Sequence, residues 1–403
     1  MKQKSIFTQA VHAGERGARP DFTPVSTPVY HSVGYLYDDM RDLDAVFGGT
    51  REGHVYLRYG SPTVLAFEKA MATLEGAEGA VAFASGMAAV HAALLGAGVR
   101  AGSTVVAAAD VYGATYALLE RMLSEMGVRT CFVDVTNLPQ VQQAVDEMAP
   151  AALVCEIVSN PLIKVADVPA LVEMAHAAGA SLIVDNTFAT PYLYRPLAAG
   201  ADYVVHSATK YLGGHGDVMA GVVACDAGRA RDLRERQKLL GANLGPQEAW
   251  LGLRGLKTLP LRMRQHCANA QVVADWLAGR PEIAHVNYPG LPDHPQHELA
   301  ARLFEGRGFG GMLSFDLRNP ATGAGAGQAE VFRFMEALEL VLPATTLGDV
   351  YSLTLYPAHS SHRQLTPEVR REIGIGEGLV RLSVGIEEAA DIIADLAQAL
   401  ARL

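Results

Sequence analysis

Short, unbroken apolar runs separated by amphipathic stretches dominate the middle of this chain. Residues 104–108, 130–133, 152–155, 182–184, 203–205 and 221–224 read as strands, and residues 63–74, 115–126 and 168–178 have helical spacing between them. Strands without polar alternation, joined by helical crossovers, predict an α/β fold with a mainly parallel sheet covered on both faces. In such sheets a ligand sits beyond the carboxyl ends of the strands. Residues 79–99 contain no charged side chain. They divide into a strand (80–84), a Ser85-Gly86 turn and a helix (88–95), a weakly hydrophobic pattern that does not suit a membrane span.

The flanks differ in character. Residues 1–62 are irregular and rich in Pro and Gly, and Tyr30, Tyr35, Tyr37, Phe47, Tyr56 and Tyr59 predict a docked arm rather than a solvated tail. Beyond Leu256 come a long helical segment (258–277), a Pro/His-rich stretch (288–297), strand-like residues 311–317 and 379–384, and helices at 329–338 and 387–401. A short Ala-Gly connection occupies 321–327. The expected organisation is an N-terminal arm (1–62), a large ligand-binding domain (63–255) and a smaller C-terminal α+β domain (256–403).

Composition narrows the partners. At 403 residues the chain can bury more than one core, and a formal charge of -10 with no basic run excludes a nucleic-acid partner. Cys131, Cys155, Cys225 and Cys267 lack ligand spacing and read as buried thiols of a reducing compartment. No apolar segment follows Met1-Lys2-Gln3-Lys4-Ser5, which predicts a cytoplasmic location without membrane attachment. His206 and His215, near Asp217, read as local hydrogen-bonding residues. His359 and His362 flank Ser360-Ser361 in a loop near the presumed substrate pocket, and no metal is expected at either pair.

The chemistry concentrates around Lys210. The apolar strand Tyr203-Val204-Val205 leads into His206-Ser207-Ala208-Thr209-Lys210-Tyr211-Leu212-Gly213-Gly214. A lysine delivered off a strand end can form a Schiff base, two hydroxyls before it can hold a phosphate, and the glycines after it let backbone approach a bulky ligand. Upstream, Leu182-Ile183-Val184 ends in Asp185-Asn186-Thr187, where an acid can pair with a protonated pyridine nitrogen. Taken singly, such a lysine is a surface charge and such an Asp a turn or cap. Together they point to pyridoxal phosphate. Ser85-Gly86-Met87 opens a helix after a strand, a ready anion site, and Arg58 can add a charge-assisted contact. Arg381, inside Leu379-Val380-Arg381-Leu382-Ser383, needs an anion; a substrate carboxylate and an internal salt bridge are the two accounts.

Tyr56-x-Arg58-x-x-x-Pro62-Thr63, Ser85-Gly86-Met87, Tyr112-Gly113, Val184-Asp185-Asn186-Thr187, Ser207-Ala208-Thr209-Lys210-Tyr211-Leu212-Gly213-Gly214-His215 and Arg381-Leu382-Ser383-Val384-Gly385-Ile386-Glu387 follow one another as they do in the Cys/Met metabolism (trans-sulfuration) enzymes that use pyridoxal phosphate. The chain resembles that family over nearly its whole length. The resemblance implies the aspartate-aminotransferase-like fold and a homotetramer built as a dimer of dimers. It further implies that Lys210 is the Schiff-base lysine, Asp185 the pyridinium partner and Tyr112 the ring-stacking acid/base residue. Gly86, Met87, Ser207 and Thr209 would bind phosphate, with Tyr56 and Arg58 reaching the phosphate of the neighbouring subunit. Asn160 would lie near the ring hydroxyl, and Arg381 with Ser352 would hold the substrate carboxylate.

The implied reaction begins when a substrate amine displaces Lys210. The freed lysine removes the α-proton while Asp185 keeps the ring nitrogen protonated, and a γ-leaving group departs with a proton from Tyr112 or Lys210. Relatives that handle cystathionine carry acids directly before the tyrosine and before the serine that match Tyr56 and Ser352, where this chain has Val55 and Tyr351. Methionine γ-lyases typically show a cysteine at Ala114, and Ser61 replaces the usual asparagine. The expected function is therefore γ-elimination on a sulfur amino acid: methionine, homocysteine or cystathionine. The alternatives are γ-replacement, as in a cystathionine γ-synthase or an O-acylhomoserine sulfhydrylase, and a non-catalytic regulatory protein on the same fold.

Overall fold

A computed structural model describes residues 4–14, 23–319, 322–363 and 366–403 of the chain. The readings of residues 1–3, of arm residues 15–22 and of Ala321 in the Ala-Gly connection lie outside the described residues.

The first sheet has seven strands: β1 (Gly79–Phe83), β2 (Thr104–Ala108), β3 (Arg129–Val133), β4 (Ala152–Glu156), β5 (Ser181–Asp185), β6 (Tyr203–Ser207) and β7 (Gly221–Cys225). Their spatial order is β1-β7-β6-β5-β4-β2-β3. The strands β6, β5, β4, β2 and β3 are parallel, whereas β7 runs antiparallel to both β6 and β1. The run at 221–224 is thus the antiparallel strand of a mainly parallel sheet, because the link from β6 (208–220) holds no helix to carry the chain back across the sheet. That link contains Lys210. Alternate residues of β2 enter different cores, Val106 and Ala108 on one face and Val105 and Ala107 on the other, so both faces are covered.

Several helices have clear local causes. Pro62–Glu75 starts with Ser61 accepting from Val64 N–H and Pro at its first position, and ends at Gly76 in the left-handed conformation. Gly86–Gly96 is capped by Ser85, whose side chain accepts from Ala88 N–H. The expected helix at 115–126 runs as Gly113–Ala117 and then widens into a π turn at Leu118–Leu123. Leu138–Met148 is a helix the apolar pattern did not reveal, since Val141, Ala144 and Val145 are its buried residues. The arm is also less irregular than expected: Ile6–His12 packs on the main body, while Met40–Phe47 buries no residue at all.

The second sheet adds β8 (Ile283–Asn287), β9 (Met312–Leu317), β10 (Leu342–Pro343), β11 (Leu353–Leu355) and β12 (Leu379–Ser383), in the order β10-β11-β12-β9-β8. Only β9 and β12 were legible as apolar runs. The half-exposed β8 and the very short β10 and β11 carry too few apolar positions. Among the described residues no helix is long and apolar enough to cross a membrane. The four cysteines are free, with Cys131 partly exposed and the others buried.

The helix Leu259–Ala278 joins the two cores: Leu259, Met263 and Cys267 belong to the first, Ala270, Val273, Ala274 and Leu277 to the second. Its Arg262 is 4% exposed. The guanidinium donates to Tyr211 O at 2.7 Å, Gly255 O at 2.9 Å and Thr258 Oγ1 at 3.1 Å, which clamps the segment immediately after Lys210. Replacing it by Met leaves those buried acceptors without a donor. Arg262→Met should cost roughly 3 kcal/mol of unfolding free energy, measured by urea denaturation; an unchanged midpoint would show that the clamp adds nothing.

Candidate active site

Parallel topology brings the ends of β4, β5 and β6 to one edge of the sheet, so Glu156, Asp185 and Ser207 face the same space. β1 delivers Ser85-Gly86-Met87 to that edge through the start of Gly86–Gly96. These groups open on a cavity of about 470 Å³ that is also lined by Tyr112, Asn160, Thr187, Thr209, Lys210 and Arg381. Of the expected site residues, Gly86, Met87, Tyr112, Asn160, Asp185, Ser207, Thr209, Lys210 and Arg381 therefore meet in one place. Tyr56, Arg58 and Ser352 do not line it.

The anion end is built from backbone. A Cβ on Gly86 would lie 2.8 Å from Ser207 Cβ, so the helix start and the end of β6 approach at a distance that only glycine allows. Gly86 and Met87 line the cavity at that helix start, where the first amides have no partner within the helix. Thr209 Oγ1 is anchored by Ala220 N–H at 3.1 Å, and Ser207 N–H donates to Thr187 Oγ1 at 2.9 Å.

Lys210 makes no ion pair among the described residues; its Nζ donates to Thr346 Oγ1 at 3.0 Å. Burial, helped by the nearby Arg381 charge and opposed by Asp349, lowers this amine to about 8. Arg381 is 3% exposed and no carboxylate lies within salt-bridge reach among the described residues. It donates to Asn160 Oδ1 at 3.0 Å and Thr346 O at 3.1 Å, while its Nε finds no partner. The internal salt bridge is absent there, and burial pulls the guanidinium down to about 10. A buried cation so placed selects an anionic ligand group.

At the far wall, burial and then Asp185 push Glu156 well above the usual carboxylate range. Burial also raises Asp185, an effect opposed in part by hydrogen bonds from Thr187 and by His206. Both carboxyls are thus pushed up, and Glu156, pushed further, is the more readily protonated member of the pair. Glu156 also accepts from Tyr112 N–H at 2.7 Å, which fixes the backbone under an aromatic ring that is itself half exposed in the cavity.

Ser352 is fully buried beside this cavity. Its hydroxyl donates to Glu387 Oε2 at 3.0 Å and accepts from Gly385 N–H at 2.9 Å. Arg58 donates to Lys238 O and packs over the Tyr56 and Tyr59 rings at 5.5 and 5.0 Å, on the exposed arm. Ser360 and Ser361 line the cavity, as the loop reading anticipated, and His362 behind them is held down to about 4 by burial, Arg381 and Arg370. Glu156 was missed although it shows the same acid-at-strand-end signal as Asp185. Thr346 carried no signal, since its contact with Lys210 spans 136 positions.

These residues fit pyridoxal phosphate: a side-chain-free helix start for the phosphate, a buried carboxyl group for the ring nitrogen, and an amine with a depressed pKa for an aldehyde. Comparison with known proteins agrees. The described strands and helices form a fold-type I pyridoxal-phosphate enzyme; a Campylobacter jejuni structure solved with pyridoxyl-lysine monophosphate superposes with a TM-score of 0.91 at 30% identity, covering 99% of this chain and 100% of that one. The family model for Cys/Met metabolism PLP-dependent enzymes matches residues 7–401, and the chain belongs to that family. It is 43% identical to L-methionine gamma-lyase of Pseudomonas putida over 99% of this chain and 98% of that protein. It is 41% identical to O-succinylhomoserine sulfhydrylase of Pseudomonas aeruginosa over 98% and 95%.

Only an unprotonated amine adds to an aldehyde. Chain stripped of cofactor should capture pyridoxal phosphate at a rate that rises with pH up to about 8 and then levels, instead of climbing toward the ordinary lysine value of 10.5. Arg381→Leu removes a repelling charge and should move the inflection upward. Stopped-flow absorbance across pH checks both, and a wild-type inflection near 10 would refute the depressed amine.

Proposed function

We propose that this enzyme is a carbon–sulfur lyase that eliminates the γ-thiol group of a sulfur amino acid, with methionine or homocysteine preferred to cystathionine. The cavity wall carries this reading. Its carboxylates are Asp185 and Glu156, both at strand ends, and Phe188, Met219, Leu347 and Leu355 present apolar surface elsewhere. A distal ammonium finds no acid there, while a thioether or thiol does not need one.

When bound, pyridoxal phosphate supplies the electron sink that acidifies the substrate Cα–H. Gly86 and Met87 N–H groups with the Ser207 and Thr209 hydroxyls hold the phosphate, and Asp185 holds the proton on the ring nitrogen. Asn160 accepts from Arg381 through Oδ1, which leaves its amide nitrogen for the ring hydroxyl. The Arg381 fork takes the substrate carboxylate, and Ser352 steadies the neighbouring turn through Glu387. Lys210, oriented by Thr346, removes the α-proton, and Tyr112 protonates the departing sulfur.

We further assign Tyr56 and Arg58 to the site of a second copy. Leu36 is fully exposed at 101%, Met40 and Phe47 lie beyond half exposure, and these apolar groups share the arm with both residues. A homotetramer, as a dimer of dimers, and a reducing cytoplasmic setting are the corresponding assignments, as is the division of the chain at residues 62 and 255. The second functional reading is γ-replacement on an acylated homoserine, favoured by the relative named as an O-succinylhomoserine sulfhydrylase.

Incubation with methionine, homocysteine, cystathionine, and acylated homoserine plus sulfide, assaying 2-oxobutanoate and thioether or thiol products, separates the readings. Methionine or homocysteine should yield 2-oxobutanoate with a higher kcat/KM than cystathionine, and Val55→Asp with Tyr351→Glu should shift that ratio toward cystathionine by about tenfold or more. A wild-type preference for cystathionine, or replacement product alone, overturns the lyase proposal. Mixing inactive Arg58→Ala with inactive Lys210→Ala chains under subunit exchange should restore part of the activity, because one site per mixed dimer is intact. No recovery with exchange demonstrated would return Arg58 to its own chain.

A further inference from the structure

Behind Asp185, on the sheet face away from the cavity, lies a polar cluster that the reaction does not use. Successive residues of a strand point to opposite faces, so Asn186 and His206 turn away from the cavity where Asp185 and Ser207 turn toward it. Both meet Glu75, the last residue of the helix Pro62–Glu75. His206 Nε2 lies 2.6 Å from Glu75 Oε1, and Asn186 Nδ2 donates to the same oxygen at 2.9 Å and to Tyr194 O at 3.0 Å. Glu75 is 1% exposed, and Asn186 and His206 are fully buried.

This arrangement is expensive as a purely structural device. Glu75 Oε2, His206 Nδ1 and Asn186 Oδ1 are buried without a hydrogen-bond partner, and a buried ionisable pair commonly adds no stability over well-packed apolar groups. Its placement gives it a different use. One carboxylate oxygen ties together the residue after Asp185 and the residue before Ser207, and therefore fixes the spacing between the ring end and the phosphate end of the cavity. The ladder continues at this point, with Asn186 N–H donating to Val205 O at 2.9 Å, so a shift at Glu75 passes to both strand ends.

We propose that Glu75 is a positioning residue for the cofactor, acting through His206 and Asn186 on the two strand ends that present Asp185 and Ser207. His206 has a second effect in the same direction. It opposes the burial of Asp185 and favours the ionised carboxylate that a protonated ring nitrogen requires. The inference rests on Asp185 being the ring-nitrogen partner. Arg195, close enough to sense the Glu75 charge, is the neighbouring cation outside the cluster.

The test compares full-length holoenzymes carrying Glu75→Gln, His206→Asn and Asp185→Asn. Cofactor retention is measured by equilibrium dialysis and cofactor orientation by visible circular dichroism, with the melting temperature of the cofactor-stripped chains as a folding control. His206→Asn should weaken retention about tenfold, the scale on which outer partners of a ligating group act. It should also change the visible dichroism with little loss of cofactor-free stability. Glu75→Gln, which keeps an acceptor oxygen but no charge, should fall between that variant and wild type, and it decides alone if His206→Asn does not fold. Wild-type retention and dichroism in both variants, with Asp185→Asn impaired, would make the cluster purely structural. If Asp185→Asn is also unchanged, the ring-nitrogen assignment falls and takes the inference with it.

Discussion

A guanidinium buried without a carboxylate is the constraint around which this molecule is organised. Arg381 sits in β12, 3% exposed, and among the described residues is hydrogen-bonded only to the neutral oxygens of Asn160 and Thr346. Its unneutralised charge reserves a place for an anion, and the same charge helps hold Lys210 at a pKa of about 8. One uncompensated cation thus both favours an anion beside it and lowers the neighbouring amine. Compensation by a protein acid would remove both effects.

Such a charge is tolerable only in a frame that cannot relax around it. Arg381 and Lys210 come from different sheets, and the frame between them is the helix Leu259–Ala278, whose residues enter both cores. Arg262 pins that helix to the backbone after Lys210. On the opposite side, Glu75 pins the ends of β5 and β6. Two buried polar clamps thus stand behind the cavity, each drawing donors and acceptors from segments far apart in the chain. Catalytic geometry of this kind depends on supports of that sort, since small misplacements of reacting groups are costly.

The carboxylates show how environment divides roles between chemically similar groups. Glu156 and Asp185 end adjacent parallel strands in register. Glu156 is pushed toward the protonated form by burial and by its neighbour, whereas Asp185 gains hydrogen bonds from Thr187 and help from His206. Side-chain type alone does not separate the two. Thr187 and His206 do, by opposing the upward effect of burial on Asp185.

The sequence by itself determined the α/β class, a mainly parallel sheet, and the placement of Ser85, Asp185, Ser207 and Lys210 at or just past strand ends, because those features are encoded in local apolar runs and the polar residues that stop them. It also carried the family signature, since the matching motifs are each contiguous. Local pattern could not show that β7 reverses direction, that the polar helix Leu138–Met148 forms, or that β8, β10 and β11 exist, for these depend on neighbours rather than on their own hydrophobicity. Only the tertiary structure decided that Arg381 has no acid partner among the described residues, that Ser352 is turned to Glu387, that Thr346 meets Lys210, and that Glu75 meets the residues behind Asp185 and Ser207. A contact such as Glu75 to His206, 131 positions apart, is created by packing a helix end against a sheet face, and no periodicity within either segment records it.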